Sequence, residues 1–219
     1  MDTTRLDRML SALAGLAALI VAAMVVGIVS TGMSQDFFQS ARPIETHIAR
    51  LTASPLGAAG LRINLGLDNL FIVVYGAFFV FLAVRLRAIL DPWAGTVALA
   101  AILLTALLDA IENHHILMML HAAERGLPLS TGESQIQMIL SAVKFHSSYL
   151  ATFLLAFGFL RLGGIGRAIA WALWLYVPLG VVISVLPIEI AGLWALGRTC
   201  FFVAAFVLSA VLFWRSARA

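Results

Sequence analysis

Six long apolar runs decide what this chain of 219 residues can fold into. They cover roughly residues 9–31, 69–89, 93–121, 134–160, 166–186 and 190–214. A helix needs about 20 mostly apolar residues to cross a bilayer, and every run meets that length. In lipid a helix satisfies its own backbone hydrogen bonds, which an open strand cannot. The expected fold is therefore an all-α integral membrane protein, a single transmembrane domain built as a six-transmembrane-helix bundle. Composition agrees: 62% of residues are hydrophobic and 11% are charged, against roughly 25% charged in a soluble domain.

The connectors are short where proline or glycine interrupts the runs. Asp91-Pro92 separates the second helix from the third, Gly163-Gly164-Ile165-Gly166 the fourth from the fifth, and Leu186-Pro187-Ile188-Glu189 the fifth from the sixth. Proline inside a helix removes a backbone donor and clashes with the preceding turn, so it marks a boundary. The first run follows Arg5 and Arg8. It exceeds a signal-peptide core of roughly 7–15 residues, and no small-residue cleavage pattern follows it, so it reads as a retained helix.

Arginine distribution gives an orientation. With the N-terminus inside, the inner segments carry Arg5, Arg8, Arg85, Arg87, Arg161, Arg167, Arg215 and Arg218. The short outer loops carry only Arg125. Both termini are therefore expected on the cytoplasmic side, and small size with short loops suggests a bacterial cytoplasmic (inner) membrane. Residues 32–68 form an extracytoplasmic loop on this reading. Ile44, Ile48 and Leu51 have the spacing of an interfacial amphipathic helix, and an ordinary packed loop is the alternative.

Against this apolar background a few ionisable residues stand out. Asp109, Glu112 and Asn113 lie in the third run, Lys144 in the fourth and Arg198 in the sixth. Insertion scales put one such charge near a helix centre at roughly 2.5–3.5 kcal/mol. Intramembrane charge is for this reason a functional-site hypothesis by default. Positions three and four apart share a helix face. Asp109, Glu112 and Asn113 thus fall on one stripe with Thr105, and Lys144 falls on another with Gln137, Ser141 and Ser148. Such stripes turn inward, so Asp109 or Glu112 is expected to pair with Lys144.

Counting about 1.5 Å per residue places these groups in the outer half of the bilayer. Asp68 and Asn69 open the second helix at the outer edge on the same count. The expected site is an outward-open polar pocket lined by Asp68, Asn69, Asp109, Glu112, Asn113, Lys144, Ser148 and Arg198. A bis-histidine haem through His114 and His146 would need both rings facing each other. Helical phase turns each away from its helix's charged stripe, so no cofactor and no metal are expected. Cys200 alone cannot form an internal disulfide.

Three functions are compatible with these residues. The first is binding or transport of a small polar or zwitterionic solute, an ion or a lipid headgroup. The second is an intramembrane enzyme acting on a lipid or isoprenoid, with Asp109 and Glu112 as an acid–base pair. The third is a non-catalytic subunit or assembly factor in which the charges only lock helix register. The expected partners are the lipid bilayer and a small-molecule or lipid ligand. A membrane-protein partner or a second copy is compatible too. No Lys/Arg run exists, which argues against nucleic acid.

Overall fold

The computed structural model describes residues 2–32, 46, 49, 55–185 and 188–218, with side chains at all of these except 183–196 and 198. Six helices follow one another: α1 (Thr3–Thr31), α2 (Pro55–Leu86), α3 (Pro92–Glu124), α4 (Thr131–Leu160), α5 (Gly164–Val185) and α6 (Ile188–Ser216). Each contains a stretch long and apolar enough to cross a membrane, and the described residues hold no strand. The protein is an integral membrane protein of the all-α class, consistent with a six-helix bundle. The expected interfacial segment around residues 44–51 lies outside the described residues, apart from Thr46 and Ala49.

Local chemistry explains the helix ends. Asp91 accepts from the Trp93 N–H at 2.9 Å, and Pro92 occupies the first turn of α3, where its missing donor costs nothing. At the other end of α3, Gly126 adopts φ 65°. The Leu127 N–H then reaches Ala122 O at 2.9 Å and the Gly126 N–H reaches Ala123 O at 3.1 Å. This pair of bonds is the Schellman closure, which needs a left-handed residue. Four residues later Ser130 and Glu133 form a reciprocal capping box: Ser130 N–H to Glu133 Oε2 at 2.6 Å, and Glu133 N–H to Ser130 Oγ at 3.3 Å. The turn between α3 and α4 is thus written in five or six residues.

One boundary differs from expectation. α2 begins at Pro55, well before residue 69, so much of the expected loop is helix. Gly57, Gly60, Arg62, Asn64 and Gly66 dilute its hydropathy. Yet two of the close contacts depend on these small or polar residues. A β-carbon on Gly60 would collide with the Thr31 side chain, and one on Gly27 would collide with Asn64. The glycines let α1 and α2 approach closely, as small residues do between membrane helices.

The chain divides into two compact units. The first comprises Met1–Leu19, Val73–Thr105 and Phe145–Ala219, the second Ile20–Ile72 and Ala106–Lys144. The first unit is held by aromatic packing. Tyr149 of α4 meets Tyr176 of α5 edge-on at 5.1 Å. Tyr176 stacks on Phe202 of α6 at 5.7 Å, Phe202 meets Phe206 at 4.9 Å, and Phe206 meets Phe78 of α2 at 5.4 Å. Each such pair adds about 0.5–1.5 kcal/mol beyond its buried area. Where α1, α2 and α6 meet, Asp7 is 1% exposed and takes Arg85 Nε at 2.7 Å and the Ser216 hydroxyl at 2.6 Å.

Gly180 lies against the Tyr149 ring so tightly that a β-carbon would overlap it. Gly180→Val is expected to displace that ring and destabilise by about 1–3 kcal/mol. Gly15, with nothing within 4 Å of its would-be β-carbon, is the control. Thermal melts in detergent should show a drop of several degrees for Gly180→Val and no loss for Gly15→Ala. Equal melts would remove the packing argument.

Candidate functional site

The second unit contains the charged cluster, built on α2, α3 and α4. Asp109, Glu112 and Asn113 sit on one face of α3 because residues three and four apart align. α4 runs antiparallel to α3 in this unit, and Lys144 meets the first two. Its Nζ donates to Asp109 Oδ1 at 2.9 Å and lies 2.6 Å from Glu112 Oε2. The side chains of Lys144, Asp109 and Glu112 are 6%, 11% and 1% exposed. The sequence left open which carboxylate faces Lys144; in the structure one ammonium bridges both.

Asn113 extends the cluster to α2. Its Nδ2 donates to Asp68 Oδ2 at 2.7 Å and to Asn69 Oδ1 at 3.1 Å. Those two acceptors fix which way the amide points. Asp68 is 4% exposed. Asp68 and Asn69 lie mid-helix rather than at a helix start, because α2 begins at Pro55. By a rise of about 1.5 Å per residue, Asp68 is about 20 Å along α2. The same count puts Asp109 and Lys144 near the middles of α3 and α4. All three therefore lie well inside their helices, and Asp68 and Asn69 do not open α2 as the sequence reading expected.

Two further side chains extend the contact between α3 and α4: His115, and Gln137 from the stripe that carries Lys144. His115 Nδ1 and Gln137 Oε1 lie 2.7 Å apart, joining α3 to α4 beyond the lysine. His115 is three residues after Glu112, and Gln137 is seven before Lys144, so helical phase carried the signal. Asn64, 1% exposed, lies four residues before Asp68. It was hidden because residues 55–68 read as loop. Two amide atoms remain: Asn113 Oδ1 and Gln137 Nε2 are buried and have no hydrogen-bond partner among the described residues. Buried polar atoms of this kind are few in folded proteins.

Asp109, Glu112, Asn113 and Lys144, expected to line a pocket, are all buried. Ala58, Leu61 and Leu65 of α2 pack on Ile116, Met119 and Leu120 of α3 in one apolar cluster. These residues flank Asp68 and Asn113 along their helices, on the side of the α3–α4 turn. Near the α3–α4 turn, Arg62 of α2 and Glu124 at the end of α3 form an exposed ion pair.

One expected site residue, Ser148, bonds elsewhere. Ser148 lies in the first unit, where its hydroxyl donates to Phe145 O at 2.9 Å and lies 3.1 Å from the Tyr176 hydroxyl. The Arg198 side chain is outside the described residues. His114 binds its own helix, with Nδ1 2.7 Å from Ala110 O, while His146 contacts Tyr149 edge-on at 5.7 Å in the other unit. Among the described residues no three His, Cys, Asp or Glu side chains converge as metal ligands.

Comparison with protein-family models, with curated proteins and with solved structures returns no match for this chain.

Proposed function

We propose that this integral membrane protein binds a small cation or zwitterionic solute at the Asp68–Asp109–Glu112–Lys144 cluster and carries it through the bilayer. One observation supports this above the others: two carboxylates, Asp109 and Glu112, meet a single ammonium in a buried site, and a third, that of Asp68, is bonded to the adjoining Asn113. An apolar interior does not tolerate excess negative charge, so a proton or a bound cation must offset it. Chains of Asp, Glu and His inside membranes are suited to that exchange. His115 and the two unsatisfied amides add polar groups beside the carboxylates. The apolar cluster of Leu61, Leu65 and Met119 would then act as the cover that opens.

The orientation belongs to this proposal. Both termini face the cytoplasm of a bacterial-type inner membrane, on the strength of the arginines at that end of the helices. The apolar cover lies on the outer side.

A second reading treats the cluster as a lock between α3 and α4 in a subunit of a larger complex. The bidentate engagement of Lys144 favours it. Reconstituted liposomes separate the two. Proton, sodium or glycine betaine gradients are imposed and initial flux is measured. Glu112→Gln and Asp68→Asn, which keep side-chain size, should each reduce flux at least tenfold. Wild-type flux no faster than empty liposomes for all three solutes would sink transport. Full activity in cells from the Asp109→Lys/Lys144→Asp swap would favour the lock.

A further inference from the structure

The first unit holds a separate basic cavity that the proposed function does not use. It has a volume of about 790 Å³ and lies where α2, α4 and α6 end and α5 begins. Arg85, Arg161 and Arg215 line it, together with Ser216, Gly163 and Gly164. No acidic residue is among the described residues lining it. Asp7, behind Arg85, engages only the Nε of that arginine and the Ser216 hydroxyl. Arg161 donates one Nη to Ile89 O at 2.7 Å and is otherwise uncommitted among the described residues. Arg215 has no partner among them and is exposed.

The backbone adds to the arginines. Gly163 at φ 87° turns the chain so that α5 starts at once. The first amides of a helix have no intrahelical acceptor and favour an anion. The three guanidinium groups supply planar, forked donors suited to phosphate oxygens. Exposed Leu160, Val211 and Trp214 flank the cavity residues in sequence, and Arg218 stacks 3.9 Å over Trp214. Tryptophan and arginine at helix ends mark the headgroup level of a bilayer. Basic pockets between membrane helices at that level take anionic headgroups.

We infer that this cavity binds a phosphate ester, held by Arg161, Arg215 and the terminal nitrogens of Arg85 at the start of α5. A phospholipid headgroup and a soluble phosphate share that chemistry, and the test separates them. The purified protein is placed in mixed micelles of phosphatidylglycerol and phosphatidylcholine, and retained lipid is counted by native mass spectrometry. Wild type should prefer phosphatidylglycerol at least fivefold, and Arg161→Gln/Arg215→Gln should abolish the preference. Inorganic phosphate or glycerol 3-phosphate at millimolar concentration is then added without anionic lipid. A rise in wild-type melting temperature, absent from the double variant, would identify a soluble phosphate as a source. Should the double variant fail to fold, Arg215→Gln alone should reduce the preference at least twofold. Equal lipid retention by wild type and the folded variants, or neither lipid preference nor a phosphate response in wild type, overturns the assignment.

Discussion

Lys144→Met should be among the most damaging single substitutions in the protein. It leaves Asp109 and Glu112 facing each other in a site where their side chains are 11% and 1% exposed. Removing one partner of a buried ion pair costs about 3–5 kcal/mol, because the remaining charge stays desolvated. For a chain of this size that corresponds to a fall in melting temperature on the order of ten degrees. The informative control is Lys144→Met/Asp109→Asn/Glu112→Gln. It removes all three charges and retains the shapes, so most of the stability should return. Flux should not return, if the carboxylates carry solute. A Lys144→Met protein that melts within two degrees or so of wild type would contradict the ion-pair geometry.

Arg85→Met should come second. It strands Asp7, 1% exposed, with only the Ser216 hydroxyl as a hydrogen-bond partner. Breaking the pair is expected to lower stability by about 3 kcal/mol. Arg85→Met/Asp7→Asn should recover much of this loss, since a neutral amide needs no counter-charge. Asp7→Asn alone should be milder: Arg85 is 21% exposed and can reach water. Denaturation of the four proteins in one detergent gives the coupling energy directly. A coupling near zero would mean that Asp7 and Arg85 do not meet.

Much of the site was legible because helical phase needs only residue spacing. Asp109, Glu112 and Asn113 had to share a face, and so did Gln137, Ser141 and Lys144. Pairing across α3 and α4 followed from the cost of leaving either stripe in lipid. Depth was less legible. It depended on where α2 begins, and glycines at 57, 60 and 66 lowered the apolar signal of its first turns. One of them, Gly60, is a contact point in the folded protein, against Thr31. A residue that weakens a helix in isolation can position it in a bundle. Ser148 failed for a different reason: phase places a side chain on a face but not beside a given neighbour. Its neighbour proved to be Tyr176.

The sequence by itself determined that the chain is a six-helix membrane protein and that its third and fourth helices carry facing charges. Lipid leaves the backbone few alternatives, and spacing alone sets the face of a helical residue. Only the tertiary structure decided that Lys144 joins two carboxylates at once, that Asn113 brings in Asp68 from a third helix, and that apolar residues of α2 pack on α3 beside them. Those outcomes depend on register and close approach between helices remote in sequence. Side-chain packing sets both, and no periodicity within one helix records it.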